Sequence, residues 1–509
     1  MDKYEKVYDF VIIGSGIGGL VSGLILSMEG HSVLILEKNH QIGGNLQVFS
    51  RDKCVFDTGV HYIGSLDNGE NLSQFFKYLG ILDGLKMQRM DEDCYDLIRF
   101  ADGKEYKHAQ GYDNFKKQLY ESFPAEKKAI DAFCDKIREI CTFFPLYNLE
   151  ESRGADYYSN QEMLEMKAAE YIESITSDVR LQNVLAGSNP LYAGKKDKTP
   201  LYVHALILNS YISGSYRMVD GGAQIAKMLT MQIRKHGGEL LKHQHVISAN
   251  FDDQRSVTEV ITKQGMAFRG KNFISNLHPA MTIDIFGESH FLKAYRNRIN
   301  HIENTASSFI VHLSFHENTF PYLNYNIYDY ECDDVWESIE YTQEDWPKAM
   351  FLCTPASSRN KEFAESMSVM TNMDYSEVLE WEGTYNTIAE KSERGERYEA
   401  FKRRKEEIIV EKLELKYPGI RKMIKGVYSS SPLTFKDYIG TKDGSMYGIL
   451  KDANNIHASI LNPRTRIPNL YLTGQNLIFH GILGATIGAF VTCFYFVDSK
   501  KILKKIKNS

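Results

Sequence analysis

Residues 9–13, DFVII, form an apolar run after Asp9, and residues 32–36, SVLIL, form another after Ser32. Apolar runs of this length between turn signals predict strands buried on both faces. Between them a glycine-rich turn, 14–19, leads into an apolar stretch of helical length, 20–29. The order strand, turn, helix, strand predicts a β-α-β unit of about 30 residues, the size of a parallel crossover.

Further along, helical periodicity predicts helices over 71–79, 113–144, 171–186 and 200–210. Strand-and-glycine patterning then returns. Asp220-Gly221-Gly222 precedes a predicted helix over 223–235, and strands follow over 239–247, 257–263 and 272–275. A second excursion carries a strand over 307–314 and a charged helix over 397–415, before a glycine-rich last part. The chain thus visits a nucleotide-type domain three times (1–70, 213–285 and 431–509) and a second domain twice (71–212 and 286–430). Residues 477–497 are nearly uncharged and long enough to span a bilayer. Three internal glycines and His480 favour a packed helix beside a ligand instead. The terminal KKILKKIK predicts a solvated helix end, with peripheral membrane contact as the minority reading.

Charge narrows the partners. Of 509 residues, 60 are Lys or Arg and 66 are Asp or Glu, leaving a net charge of -6 and no global positive field for nucleic acid. The 7 cysteines are widely spaced without a C-x-x-C pair, which argues against a zinc knuckle and predicts a reducing compartment. No secretory signal fits before the first strand. The expected location is the cytoplasm, including the inner face of the membrane as a peripheral protein. Metal-protease, serine-hydrolase and P-loop motifs are absent, and no metal site is expected.

The glycine turn carries the first chemistry. In Gly14-Ser15-Gly16-Ile17-Gly18-Gly19, Gly14 allows the tight turn, Gly16 admits a pyrophosphate to the backbone, and Gly19 lets helix and strand pack closely. Phosphate then meets the positive end of the helix. Glu37, at the end of the second strand, is placed to accept hydrogen bonds from a ribose diol. Gly43-Gly44 fits either a second approach to a folded-back dinucleotide or a plain turn. In 469–488, NLYLTGQNLIFHGILGATIG, a buried strand and a loop at Gly474 lead to a helix whose N-terminus suits the electron-rich edge of a flavin.

Several blocks carry a family likeness. EKNHQIGGNLQVFSRDKCVFDTGVHYIG, VDGGAQIAKML, ISNLHP, SSPLTFKDYIGTKDGSMYG and NLYLTGQNLIFHGILGATIGA occur in order over essentially the whole chain. Together they resemble the retinol saturase and carotenoid isomerase branch of the phytoene desaturase-like flavoproteins. The resemblance implies an α/β fold: an FAD-binding Rossmann-like domain of the glutathione reductase and amine oxidase type, with an inserted α+β substrate domain. It places FAD against Gly14, Ser15, Gly16, Gly19, Glu37, Lys38, Gly43, Gly44 and Val246, and against Gly474, Gly484, Ala485 and Thr486 at the ribityl chain and flavin ring. Asn45 stands where many relatives have a basic residue facing the phosphates. His61, Tyr62 and His480 are the candidate proton sources beside the flavin; His204, Tyr202 and Tyr216 are weaker candidates that fit packing roles, and Asp437 and Asp443 fit turn or cap roles.

The implied activity is FAD-dependent saturation, desaturation or redox-dependent isomerisation of a conjugated apolar polyene, with NAD(P)H as a candidate electron donor. A flavin amine oxidase-like enzyme and a non-catalytic flavoprotein are the alternatives.

Overall fold

A computed structural model describes residues 6–151 and 161–509. Two seven-stranded sheets organise them. In the first, Glu239–Leu241, Val33–Leu36, Val7–Ile13, Ala267–Ser275 and Leu470–Leu472 run parallel in that order. Val257–Thr262 and Val246–Phe251 extend the other half of Ala267–Ser275 as antiparallel strands. Parallel strands covered on both faces need unbroken apolar sequence. Val11, Ile12, Leu34 and Ile35 are all fully buried. The helices Ile17–Met28 and Gly481–Cys493 pack against each other, although they lie at opposite ends of the sequence.

The second sheet runs Ile424–Ser430, Ser307–Phe315, Ser366–Met373, Ala349–Cys353, Asn326–Tyr330, Asp96–Phe100 and Glu105–His108. It is antiparallel except where Asn326–Tyr330 lies parallel to Asp96–Phe100. All nine residues of Ser307–Phe315 are buried, polar ones included. One of them is met across the sheet: His312 pairs in register with Ser368, Nδ1 to Oγ at 2.9 Å.

The observed elements depart from the periodicity at four places. The stretch 113–144 is two helices, Tyr112–Ser122 and Lys127–Thr142. Pro124 between them has no N–H to donate and turns its predecessor away from helical angles. The stretch 171–186 also divides, into Ala168–Ile175 and Val179–Leu185, because Asp178 caps the second helix by accepting from the Leu181 N–H at 3.0 Å. The strand 239–247 is broken at a turn where His243 takes φ 59°. Finally, the terminal segment Ser499–Lys507 is not a solvated end. Its Ile502, Leu503 and Ile506 are buried against the helix Asn71–Tyr78, while Lys501 and Lys505 both pair with Glu29, at 2.8 and 2.9 Å. The apolar face that would enter a membrane is occupied within the fold. No helix among the described residues is long and apolar enough to cross a membrane, and the helix in 477–497 is Gly481–Cys493.

Deleting residues 499–509 should therefore destabilise the protein by on the order of 5 kcal/mol, from the loss of three buried aliphatic side chains. Chemical denaturation of the truncated and full chains checks this.

Candidate functional site

Three chain segments converge behind the C-terminal end of the first sheet. The Asn276 side chain sits between the 14–19 turn and Gly474. A Cβ on Gly18 would lie 2.5 Å from Asn276 Oδ1 and 2.6 Å from the Gly474 Cα, and a Cβ on Gly474 would lie 2.3 Å from the same oxygen. Gly19 packs against the turn itself, where a Cβ would come within 2.2 Å of the Gly14 carbonyl. Only hydrogen fits in these places, so the backbones close on one another.

Ser15 and Glu37 tie the front of this arrangement. Glu37 Oε2 accepts from the Ser15 N–H at 3.1 Å and from Ser15 Oγ at 2.5 Å; Oε1 accepts from the Asn39 N–H at 2.8 Å. Ser15 Oγ in turn accepts from the Gly43 N–H at 3.1 Å. The second glycine pair is thereby fastened to the first turn, and Gly44 stands so close to the Gly16 Cα that a Cβ would be 3.0 Å from it. Glu37 spends three of its roughly four acceptor positions on the protein, leaving about one toward the cavity. Lys38 Nζ donates to the Asp437 carbonyl at 2.7 Å, and burial pulls its pKa down.

In front of these turns lies a cavity of about 240 Å³. It is lined by Gly14, Ser15, Gly16, Glu37, Lys38, Gly43, Gly44, Asn45, His61, Tyr62, Val246 and Ala485 among the residues the sequence singled out. Gly19 and Gly474 stand behind its wall as packing positions. Tyr62, Leu191, Tyr211, Gly481 and Ile482 line both this cavity and an adjoining second chamber of about 90 Å³. That chamber is walled by Leu72, Val203, Leu206, Ile207, Phe479 and Ile487, with Gly484 and His480 at its edge. Gly484 is forced by Phe479, whose Cβ would stand 2.5 Å from a Cβ added there.

Polar atoms at this cavity lack protein partners. Both ring nitrogens of His61 and Asn45 Oδ1 are buried without a hydrogen bond. Such groups are costly unless a ligand satisfies them. Together with the glycine cradle they fit a polar, phosphate-bearing dinucleotide: Gly14, Gly16 and Gly44 offer backbone, and the helix beginning at Ile17 offers its positive end. Thr486, which the sequence placed at the flavin, lines neither space; its Oγ1 is buried without a partner within the helix Gly481–Cys493. Burial lowers His61 to about 4 and His480 to about 3, so both are neutral imidazoles at pH 7. His480 precedes the first residue of the helix Gly481–Cys493 and its ring lies 4.8 Å from that of Tyr447.

At the junction with the second chamber, aromatic rings crowd together. Tyr62 lies on Tyr211 with centroids 4.3 Å apart, and Tyr328 lies on Phe351 at 5.0 Å. Tyr62 Oη donates to Asp96 Oδ2 at 2.8 Å and shares a hydrogen bond with Tyr328 Oη at 2.7 Å. Asn326 Nδ2 donates to Asp96 Oδ1 at 2.8 Å. Arg217, only 1% exposed, donates to the Leu323 and Tyr325 carbonyls, and its charge pulls the pKa of both Asp57 and Asp96 downward. Desolvation is the larger effect and pushes each carboxyl up to about 7. Lys451 lines the second chamber. Burial pulls it down to about 7, but Nζ donates to three carbonyls, Ser459, Asn476 and Leu477, which match the three donors of an ammonium ion.

Asp437 is neither a cap nor a turn residue. It forms an ion pair with Arg394 in which both side chains are almost entirely buried, and it accepts from the Asn386 N–H at 2.8 Å. Asp443 does occupy a turn, at φ 54°. His204 is a packing residue, its Nδ1 2.8 Å from Tyr192 Oη. Tyr202 is buried beside Phe144 and Phe479, and Tyr216 donates to Asp67. Sequence reading passed over Asp96, Asn276, Arg217 and Tyr328. Only Asn276 carried a local signal, since it follows a buried strand as Gly14 does; the others reach the site through packing of the second sheet.

Residues 12–79 match the model of the NAD(P)-binding Rossmann-like domain. The human all-trans-retinol 13,14-reductase is 26% identical over 546 residues, covering 99% of this chain and 87% of that protein. The chloroplastic prolycopene isomerase of Daucus carota is 25% identical over 473 residues, covering 87% of this chain and 72% of its own. The chain is homologous to both. Among solved structures, putrescine oxidase bound to putrescine shares the fold with TM-score 0.64 at 12% identity, covering 99% of each chain.

A pH prediction follows from the buried carboxyls. Asp96 sits above its ordinary 3.8, so the folded state holds a proton that the unfolded state has released. Stability should therefore fall as pH rises from about 4 to about 7 and level off beyond. Asp96→Asn should flatten that fall, as read from denaturation midpoints across this range.

Proposed function

We propose that the protein is an FAD-dependent oxidoreductase acting on the double bonds of an apolar conjugated polyene of the retinoid or carotenoid kind. The observation that carries this reading is a pair of adjoining spaces: a glycine-walled dinucleotide cradle and an aliphatic and aromatic chamber, with Tyr62, Leu191, Tyr211, Gly481 and Ile482 lining both. The named activities of the homologous proteins, retinol reduction and prolycopene isomerisation, join the same two requirements.

In this reading Gly14, Gly16, Gly43 and Gly44 hold the pyrophosphate, the remaining acceptor position of Glu37 takes a ribose hydroxyl, and Val246 borders the adenine. The free nitrogens of His61, with Asn45 Oδ1, answer the polar edge of the flavin region. A bound flavin supplies hydride or electrons to the polyene. The chain's own contribution is to position an apolar rod, exclude water and present hydroxyl protons. Leu206, Ile207, Phe479 and Ile487 do the first two, because transfer of a polyene from water to such a wall is favourable throughout its length. The hydroxyls of Tyr62 and Tyr328 are joined by a hydrogen bond beside the first cavity, which both residues line, and Tyr62 lines the second chamber as well.

Amine oxidation fits this chamber poorly. An ammonium substrate needs an acid or an uncovered aromatic cage, whereas the residues lining the second chamber include the cation Lys451 and no carboxylate. NAD(P)H is assigned as electron donor on chemical grounds, since reduced nicotinamide readily gives hydride to a flavin.

Purified protein should be yellow. Reduced anaerobically, by NADPH or by dithionite, it should be reoxidised on mixing with all-trans-retinol or a carotene and not with putrescine. A folded, colourless protein that takes up no FAD would overturn the cofactor; a reduced flavin that no polyene reoxidises would overturn the substrate class. Ile207→Trp should fill the second chamber, lowering polyene-dependent reoxidation by about tenfold or more while leaving the flavin spectrum unchanged.

A further inference from the structure

Tyr62 and Tyr328 differ in what stands behind them. Tyr62 is interior to a hydrogen-bonded chain, with Asp96 on one side at 2.8 Å and Tyr328 on the other at 2.7 Å. Tyr328 is its outer end. Its ring lines the cavity, from the strand Asn326–Tyr330, whose alternation puts Asn326, Tyr328 and Tyr330 on one face. Asn326 lies directly opposite Asp96 in register and fixes the carboxyl through Oδ1. Tyr330 is used elsewhere, donating to the Gly187 carbonyl at 2.8 Å.

Such a chain has a direction. Each hydroxyl donates once, so the state of Asp96 orients both. As a carboxylate, Asp96 accepts from Tyr62, Tyr62 accepts from Tyr328, and the chain points inward. As a carboxylic acid it donates to Tyr62, Tyr62 donates to Tyr328, and the Tyr328 hydrogen points into the cavity.

Charge balance favours a proton in this cluster. Arg217 is permanently cationic and acts on two buried carboxyls, Asp57 and Asp96. One ionised carboxylate neutralises it; a second would be an uncompensated buried charge. Asp57 accepts from the Gly222 N–H at 2.7 Å, a group that can only donate, and so is the better carboxylate. Asp96 faces a hydroxyl that can reverse. The other groups that sense Asp96 are phenols and a thiol, Tyr95, Tyr211, Tyr330 and Cys94, which leaves Arg217 as the cation that acts on it.

We propose that Tyr328 is the catalytic acid of this site and that Asp96, acting through Tyr62, is the positioning residue that aims and resupplies it. The inference rests on the reading of the cavity as a polyene-reducing site. In a saturation, a bound reduced cofactor would supply hydride for a C–H bond at one alkene carbon, and the π electron pair would pass to its neighbour. That neighbour takes the Tyr328 proton. Tyr328 takes one from Tyr62 and Tyr62 one from Asp96, so the acid ends as carboxylate and both phenols are restored. Solvent returns the proton to Asp96 before the next turnover.

Infrared difference spectra of wild type against Asp96→Asn test the resting state without cofactor turnover or substrate. A carboxylic acid carbonyl band should be present at low pH, titrate near 7 and move in Tyr62→Phe. A carboxyl at Asp96 that titrates in the ordinary range near 3.8, or a band indifferent to Tyr62→Phe, overturns the proposal. With reduced enzyme and polyene, Tyr328→Phe should slow flavin reoxidation by about 10²-fold or more. Asp96→Asn should slow it and abolish its pH dependence near 7. Wild-type reoxidation rates in Tyr328→Phe would equally overturn the assignment. If no polyene reoxidises even the wild type, the substrate reading fails, while the infrared result still decides the state of Asp96.

Discussion

Close backbone approach at Asn276 is the constraint from which the rest of the site follows. Three segments meet there that are far apart in sequence, the 14–19 turn, the end of Ala267–Ser275 and the loop at Gly474, and the space between them admits no side chain larger than hydrogen. The contact fixes how the helices Ile17–Met28 and Gly481–Cys493 lie on one another and how the parallel strands align. It also leaves the front of the turns bare, which is what a phosphate-bearing ligand needs. Ser15 then couples that bare surface to Glu37 and Gly43, so the two glycine turns keep a fixed separation.

Much of this was legible because it is local. A tight turn, a close approach and a two-face-buried strand each leave a mark within a few residues: Gly14 and Gly16, Gly43 and Gly44, the run Val11–Ile12–Ile13. Helix breaks at Pro124 and Asp178 were equally local but weaker than the surrounding periodicity, and the pattern ran through them. What sequence could not reveal is the far wall. Asp96, Arg217 and Tyr328 lie on three different strands, and their meeting depends on the register of Asp96 with Asn326, which no short window contains. Asp437 misled for the same reason: its partner Arg394 lies 43 residues away, and a carboxylate in a Lys-Asp-Tyr context reads locally as turn chemistry.

The region where the two spaces adjoin combines apolar walls with buried charge. Arg217, Asp57 and Asp96 are held in an aromatic surround at a desolvation cost that hydrogen bonds only partly offset. A packing solution with apolar residues would be as stable or more so. Retaining titratable groups here concentrates proton chemistry where chamber and cradle adjoin, and keeps bulk water out of it.

The pairing of the first helix with Gly481–Cys493, and of Glu29 with Lys501 and Lys505, has a consequence for biosynthesis. The ribosome delivers the opening strand, glycine turn and helix early, but their partners emerge more than 430 residues later. At typical elongation rates the nascent chain waits roughly twenty to ninety seconds with an incomplete parallel sheet and an uncovered apolar helix. Throughout that interval the emerging polypeptide is a client for chaperones, and a pigment could be captured only after synthesis of the final segment.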